Sequence, residues 1–239
     1  MSEENSLHNT QNDVIPTLNP EIEAEADTYT DLSEWIYQTT NGEPGLMLIG
    51  GMPGSQKNTL ADQIVSLATS YPEFCPNSII IIDIDDIAQQ LPESKRGGKE
   101  KYDLCQQTVM AALARRQTVI VTAPFPLKDA QRDLWPQMAI NDHGLKPENV
   151  KRVWLEISPE DAIRAAQERQ KLGTHIDSNR DPSTIVHGWL DKYKNQLPTT
   201  TDSQNWIILK TQFESQPTHT HQKKLQIALA HKIANTHAA

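Results

Sequence analysis

The stretch that most constrains the fold of this chain is residues 45–64, GLMLIGGMPGSQKNTLADQI. The apolar run from Leu46 to Ile49 predicts a buried strand, and the pattern from about Lys57 predicts a helix after a glycine-rich turn. In such a unit, glycines let backbone N–H groups converge on an anion, and the helix N-terminus adds partial positive charge. The stretch therefore predicts a phosphate-binding loop, with an ordinary glycine-rich turn as the structural alternative.

The residues of this turn follow the Walker pattern G-x-x-x-x-G-K-[ST] with two departures. Gly51 is the first glycine of the pattern, and Lys57 is placed to reach the β and γ phosphates of a nucleotide. Gln56 replaces the second glycine, and Asn58 replaces the hydroxyl residue after the lysine. The predicted nucleotide-binding residues are Gly51, Gly54, Ser55, Gln56, Lys57, Asn58 and Thr59.

The two departures have different expected costs. A non-glycine residue in a left-handed or strained conformation costs on the order of 1 to 3 kcal/mol, so Gln56 is expected to weaken the site without necessarily abolishing it. Asn58 removes a hydroxyl that binds Mg²⁺ in many such loops, although a carboxamide oxygen is a weak ligand. The adenylate-kinase pattern G-G-x-G-x-G-K-G-T also has its threonine one place later, where this chain has Thr59. We therefore expect Asn58 to be the milder departure.

From Leu46 onward, short apolar runs alternate with helical patterns, which is typical of an α/β fold with a parallel sheet covered on both faces. Five strands are predicted, at 46–49, 79–84, 118–123, 150–157 and 206–209. Helices are predicted at about 57–70, 100–116, 128–141, 159–171, 183–196 and 221–235.

Charge is distributed unevenly along the 239 residues. The net charge is −9, but the first lysine or arginine is Lys57, so the acidity belongs to the N-terminal part of the chain. Residues 1–29 are polar and acidic, which predicts a disordered tail before a single domain at 30–239. The remaining chain has no basic stripe for strong nucleic-acid binding, and no segment approaches the ~20 apolar residues of a membrane span. We expect a soluble, cytoplasmic protein.

A second candidate feature is IIIIDIDDIAQQL, in which a predicted strand leads into Asp83, Asp85 and Asp86. A carboxylate at the C-terminal end of a parallel strand lies at the edge where α/β folds bind ligands. There it can accept the proton of an attacking hydroxyl or organise magnesium. The structural alternative is helix capping, with Asp85 or Asp86 as the N-cap of the following segment.

Together these motifs resemble those of the P-loop kinase-like NTPases that include phage polynucleotide kinase, zeta toxins and chloramphenicol phosphotransferase. The resemblance covers roughly residues 45–210 and implies a Rossmann-like P-loop NTPase fold with five parallel strands in the order 2-3-1-4-5. It also implies ATP (or another NTP) and Mg²⁺ as cofactors. In the polynucleotide-kinase branch, the first aspartate of a D-D-x-x-R signature is the general base, which falls here on Asp85. The implied magnesium ligands are Asn58, Asp83 and Asp86.

The resemblance further assigns VKRVWLEISPEDAIRAAQERQKLGTH to a fourth strand and a helix that leads to a lid at about 169–183. Lid arginines stabilise charge on a transferred phosphoryl group. Arg164 and Arg169 are five residues apart, so they lie about 140° apart on a helix and cannot share one face. Arg180 follows in the next loop. We favour Arg169 as the catalytic arginine and expect Arg164 to be solvated or salt-bridged.

Four positions depart from the pattern of this group. Besides Gln56, they are Ala88 at the arginine of D-D-x-x-R, Thr122 where the third strand usually ends in aspartate, and Leu172 where the polynucleotide kinases carry arginine. The missing aspartate indicates that a second magnesium-organising group is absent. The basic residues Lys95, Arg96, Lys99, Arg115 and Arg116 either bind a phosphorylated substrate or only solvate the surface.

The favoured function is therefore ATP-dependent transfer of a γ-phosphoryl group to a hydroxyl of a nucleotide, a nucleic-acid end or a small molecule. The alternative is a degenerate P-loop protein with weak or no catalysis, acting as a nucleotide-binding, regulatory or interaction module. An oligomeric ATPase motor is less favoured, because it requires an acidic Walker B strand end and a helical lid domain, and neither is clearly recognisable in the sequence. The pattern leaves the acceptor, the oligomeric state and the role of the acidic tail open.

Overall fold

The structure is a computed structural model that describes most of the chain. It covers residues 20–96, 98–124, 129–172, 180–197 and 206–211, together with Leu225, Ala228, Leu229 and Lys232. Residues 1–19 of the predicted tail and residues 173–179 of the predicted lid lie outside these ranges, as does most of the predicted helix at 221–235.

Five strands form one parallel sheet. They are β1 (Leu46–Gly51), β2 (Ile79–Asp83), β3 (Thr118–Thr122), β4 (Val150–Glu156) and β5 (Ile207–Lys210). The strand order is β2-β3-β1-β4-β5, and every neighbouring pair is parallel, which confirms the predicted α/β class and the order 2-3-1-4-5. Strand β1 is buried along its whole length because it lies at the centre of the sheet.

Helices cover both faces of this sheet, as predicted. They are α1 (Pro20–Asn41), α2 (Lys57–Ala68), α3 (Ile84–Gln89), α4 (Lys99–Ala114), α5 (Asp129–His143), α6 (Pro159–Lys171) and α7 (Pro182–Tyr193). In the part of the chain that the structure describes, no helix combines the length and the apolar character that crossing a membrane requires.

Alternating side chains of β1 divide between two apolar cores. Met47 and Ile49 pack in the core that also holds residues of α1 and α2. Leu46 and Leu48 pack in the core that holds residues of α3, α4 and α5. Since successive side chains of a strand point to opposite faces, a continuous apolar run is what a strand covered on both faces requires. Leu225, from the predicted last helix, is buried in the first core.

Helix α1 differs from the sequence expectation, which ended the disordered tail at residue 29. The helix begins at Pro20, and its residues Ile22, Ala26 and Tyr29 are buried against the domain. These positions are four and three residues apart, so they form one apolar face although the segment as a whole is acidic. Residues 20–29 are therefore part of the packed domain, because helical spacing rather than average composition decides which face is buried.

Candidate phosphate-binding site

A cleft of about 810 Å³ opens at the C-terminal edge of the sheet. The loop between β1 and α2 forms its centre, and Asp83 and Asp85 contribute from the end of β2 and the start of α3. Arg169 of α6 and Arg180, just before α7, line it from the side of β4. The structure thus brings the predicted phosphate loop, the predicted base and the predicted lid arginine to one cavity.

Two glycines of the loop hold conformations and contacts that leave no room for a side chain. Gly51 has φ 155° and Gly54 has φ 88°. A Cβ atom on Gly54 would overlap the backbone carbonyl of Ala162, and one on Gly51 would overlap the hydroxyl of Ser55. Glycine lets the loop pack tightly against α6 at Gly54 and against Ser55 and β4 at Gly51, and it keeps the loop a backbone-lined cradle suited to phosphate.

Gln56 adopts the left-handed conformation expected of the glycine it replaces, with φ 62° and ψ 32°. It is also the N-cap residue of α2, and its side chain makes no capping hydrogen bond within the described part of the chain. The first N–H groups of a helix have no partners inside the helix, so those of α2 are available to an anion in the cleft. Of the two conformations expected at this position, left-handed or strained in another way, Gln56 has the left-handed one.

The ammonium group of Lys57 lies folded against this loop. Its Nζ donates hydrogen bonds to the carbonyl oxygens of Gly51 at 3.2 Å and Met52 at 3.0 Å, and to the Ser55 hydroxyl at 3.3 Å. Burial lowers the pKa of Lys57 to about 8, and the negative charge of Asp85 offsets only part of this decrease. Partially desolvated positive charge of this kind attracts a phosphate, which would supply the negative charge that the carbonyls lack.

The predicted nucleotide-binding residues occupy two levels of the loop. Gly54, Gln56, Lys57, Asn58 and Thr59 line the cleft. Gly51 and the fully buried Ser55 are absent from its lining, and they support the loop from beneath, where Ser55 accepts the hydrogen bond from the lysine.

Asp83 caps helix α3 and joins it to the phosphate loop. Its Oδ1 accepts a hydrogen bond from the backbone N–H of Asp85 at 2.9 Å, and its Oδ2 accepts one from the side-chain amide of Asn58. The capping alternative named Asp85 or Asp86, and it was wrong about the residue. Asp83 has the extended backbone of an N-cap, with φ −88° and ψ 125°, and the helix begins one residue later.

The two aspartates that follow are placed differently. Asp85 lines the cleft, whereas Asp86 is exposed and does not. Consecutive helical residues point about 100° apart, so these two neighbouring carboxylates point in different directions. The pKa of the Asp86 carboxyl is raised, by desolvation first and then by the negative charges of Asp83 and Asp85.

Oxygen donors suited to Mg²⁺ lie beside the loop. The carboxylate of Asp83, the carboxamide of Asn58 and the hydroxyl of Thr59 all line the cleft. Among the described residues, no group of three or more His, Cys, Asp or Glu side chains could hold a metal ion. Because Mg²⁺ in nucleotide sites commonly uses one or two carboxylates, several waters and the phosphates themselves, this donor set fits a nucleotide-bound ion.

The departures from the kinase pattern have distinct surroundings. Ala88 is buried and lines the cleft, and Leu172 is 75% exposed. Thr122 pairs in register with Asp83, and its buried Oγ1 has no hydrogen-bond partner among the described residues. Arg164, which was expected to be solvated or salt-bridged, forms an ion pair with Asp161, as predicted.

The cleft is also lined by polar residues that the sequence analysis did not assign to a site. Glu93 and Lys101 line it from the segment between β2 and the first turn of α4. Arg96 also lines the cleft. It is the one member of the predicted set of Lys95, Arg96, Lys99, Arg115 and Arg116 that does so. No local pattern singled out Lys101, because its position depends on where α4 begins relative to the end of β2.

No protein-family model matches the chain, and no curated protein matches it. Solved structures match its fold. A structure from Chloroflexus aurantiacus J-10-fl, described as "a putative kinase", is 17% identical, covers 80% of this chain and 99% of its own, and has a TM-score of 0.51. The chain has the α/β fold of P-loop NTPases.

Two other matches have lower TM-scores. A structure of the PezAT chromosomal toxin-antitoxin system of Streptococcus pneumoniae is 15% identical over 92% of this chain and 97% of that one, with a TM-score of 0.44. A sugar kinase from a Janibacter species is 18% identical over 78% of this chain and 93% of that one, with a TM-score of 0.42.

Proposed function

We propose that this protein is an ATP-dependent phosphotransferase that moves a γ-phosphoryl group to the hydroxyl of an acceptor. One observation carries the proposal: a single cleft contains Lys57, beside the uncapped start of α2, and the carboxylate of Asp85. Lys57 and the start of α2 are suited to bind phosphates, and the Asp85 carboxylate is suited to accept a proton from a hydroxyl. The nucleotide would be the phosphoryl donor, and its acceptor would be a nucleotide, a nucleic-acid end or a small molecule.

The residues divide the work of this reaction. The N–H groups at the start of α2 and the ammonium of Lys57 hold the β and γ phosphates, and Arg169 stabilises charge on the transferred group. Asp85 accepts the proton of the acceptor hydroxyl. At the same time the hydroxyl oxygen bonds to the γ-phosphorus, and the bond between the γ-phosphorus and the β–γ bridging oxygen breaks. ADP and the phosphorylated acceptor are the products.

Mg²⁺ would be held by Asp83, the carboxamide oxygen of Asn58 and the Thr59 hydroxyl, together with water. When bound, the ion neutralises part of the charge on the β and γ phosphates. We leave the exposed Asp86 out of this ligand set, because it does not line the cleft. The Asn58 amide would keep its hydrogen bond to Asp83 while its oxygen faces the ion.

The adjacent aspartates provide the test. We expect Asp85→Asn to leave ATP·Mg²⁺ affinity within about twofold while lowering γ-phosphoryl transfer to water and to a panel of hydroxyl acceptors by roughly a hundredfold or more. Asp86→Asn, one residue away and outside the cleft, should change the rate by less than about threefold. Calorimetry measures the affinity, and release or incorporation of a radiolabelled γ-phosphate measures the rate. An equal loss of rate in both variants contradicts the assignment of the base.

A second candidate is a degenerate P-loop module that binds nucleotide without transferring its phosphate. The left-handed Gln56 favours it, because a side chain stands where phosphate loops of this pattern use glycine. Nucleotide binding by the unmodified protein, with no turnover of water or of any acceptor in the panel, would support this module over the kinase.

A further inference from the structure

The basic residues of the cleft fall into two groups that the sheet topology separates. Lys57 lies at the centre, because it follows the central strand β1. Arg169 and Arg180 reach the cleft from α6 and α7, which follow β4. Arg96 and Lys101 reach it from the opposite side, where β2 forms the edge of the sheet. The phosphate loop therefore has positive charge on both flanks.

The β2 flank is also the flank of the proposed base. Asp85 lies at the start of α3, which directly follows β2, and Arg96 and Lys101 follow α3 along the chain. In the proposed reaction the donor phosphates occupy the loop and the β4-side arginines, so the acceptor hydroxyl must approach Asp85. A group that binds the rest of the acceptor must therefore lie on the Asp85 side of the cleft, and Arg96 and Lys101 line the cleft from the segment that follows α3.

Their positive charge is not neutralised by a salt bridge. Within the described ranges, neither Arg96 nor Lys101 forms an ion pair, although Glu93 lines the same cleft. The Nε of Arg96 donates to the carbonyl of Leu91 at 3.1 Å, which anchors its guanidinium at the cleft. The Nζ of Lys101 lies 5.3 Å from the ring centroid of Tyr102.

Two neighbouring lysines show that not every basic side chain of this segment lines the cleft. Lys95 and Lys99 flank Arg96 and Lys101 in sequence, but neither lines the cleft. The Lys99 side chain is 82% exposed and lies 3.8 Å from the carboxylate of Asp103. Two of the four bases in this segment are thus turned to the cavity and two to solvent.

We propose that Arg96 and Lys101 bind a phosphate group carried by the acceptor, so that the acceptor is a phosphorylated hydroxyl compound. The inference rests on the proposed function and narrows its acceptor class by leaving out neutral hydroxyl compounds. Phosphate fits this pair because a guanidinium donates two parallel hydrogen bonds to it and an ammonium adds a point charge. With the acceptor phosphate held there, its hydroxyl is presented to Asp85.

Inorganic phosphate is the probe for this subsite. The protein is first saturated with the non-hydrolysable ATP analogue AMP-PNP and Mg²⁺, so that the donor phosphate positions are filled, and phosphate is then titrated by calorimetry. We expect one phosphate to bind, and we expect Arg96→Ala and Lys101→Ala each to raise its Kd about tenfold. Lys95→Ala and Lys99→Ala remove the same charge from the same segment and should change the Kd by less than about twofold. All four variants should keep the AMP-PNP affinity and the Tm of the unmodified protein.

Two results overturn the proposal: no phosphate binding to the AMP-PNP-saturated protein, or an equal rise in Kd in all four variants, which indicates only general electrostatic attraction. Failure of the proposed function is distinguishable, because ATP is then not turned over even where AMP-PNP binds, and in the most complete failure AMP-PNP does not bind at all. In that case phosphate is titrated into Lys57→Ala, which removes the loop site. Binding that still depends on Arg96 and Lys101 supports the anion subsite, and its absence overturns it.

Discussion

Two strand-to-helix turns at the same edge of the sheet begin their helices in opposite ways. At the end of β1, the N-cap of α2 is Gln56, left-handed and without a side-chain cap. At the end of β2, the N-cap of α3 is Asp83, extended and hydrogen-bonded to the backbone of Asp85. Within the described residues, the first turn has a left-handed backbone and no side-chain cap, whereas the second pairs the N–H of Asp85 with the Asp83 carboxylate.

The difference separates a turn suited to binding from a turn suited to stability. Free N–H groups at a helix start are available to a ligand, whereas a capped start uses its donors inside the protein. The two turns are linked, because the Asn58 amide donates to the second oxygen of Asp83. The stable turn thereby holds the strained one in position beside the cleft.

The largest expected effect comes from removing the charge at the strained turn. We expect Lys57→Ala to weaken ATP·Mg²⁺ binding at pH 7 by about a hundredfold, because charge-assisted hydrogen bonds to phosphate are lost. Lys171→Ala, at the solvent-exposed end of α6, should leave the affinity unchanged. Calorimetry measures both, and equal affinities in the two variants would mean that the loop does not bind the phosphates through its lysine.

Raising the pH should separate binding from stability at the same residue. The pKa of Lys57 is about 8 in the folded protein, below its ordinary value of 10.5. The unfolded chain therefore holds this proton more tightly, so the unfavourable contribution of Lys57 is complete below pH 8 and is relieved as the pH rises to about 10.5. Nucleotide affinity, which needs the ammonium, should fall up to tenfold per pH unit above pH 8.

Lys57→Met should lose both the rise in stability and the fall in nucleotide affinity with increasing pH. The free energy of unfolding from urea denaturation and the affinity from calorimetry, each measured at pH 7, 8 and 9, provide the check. If the affinity of the unmodified protein stays constant over this range, protonated Lys57 is not what binds the phosphates.

Removing the cap from the stable turn should cost stability. Asp83→Ala removes the N-cap of α3 and leaves the Asn58 amide without its acceptor. We expect the free energy of unfolding to fall by about 2 kcal/mol. Ser158→Ala removes a side-chain cap of the same kind from α6, and should cost about 1 kcal/mol. Equal losses in the two variants, measured by urea denaturation, would show that the link between the turns adds nothing to stability.

The smallest expected effect relieves the strained turn. Gln56→Gly should raise the free energy of unfolding by about 0.5 kcal/mol, since glycine removes the left-handed penalty but adds disorder to the unfolded chain. Glu73 has nearly the same φ, 63°, and does not line the cleft, so Glu73→Gly should give the same stability change. Only Gln56→Gly should also tighten ATP binding. Tighter binding in both variants would attribute the gain to general stability rather than to the phosphate loop.

Much of this architecture could be predicted from local pattern. The apolar runs identified all five strands to within about two residues at each end, because each strand is a short run with apolar residues bounded by turn or helix signals. The Walker pattern led to the expectation of a left-handed or strained backbone at Gln56, and the structure has the left-handed one. Sequence-based prediction failed at residues 20–29, where an acidic composition concealed the helical spacing of Ile22, Ala26 and Tyr29.

The sequence by itself determined where the five strands lie along the chain and the place of the glycine-rich loop, since periodicity and turn chemistry act over a few residues. Only the tertiary structure decided which side chains share the cleft. Asp85 lines it and its neighbour Asp86 does not, and Arg96 and Lys101 line it while Lys95 and Lys99 do not. Each step along a helix rotates the side-chain direction by about 100°. Which side chains face the cleft therefore depends on where each helix begins relative to the ends of the strands, and these ends are far apart in the sequence.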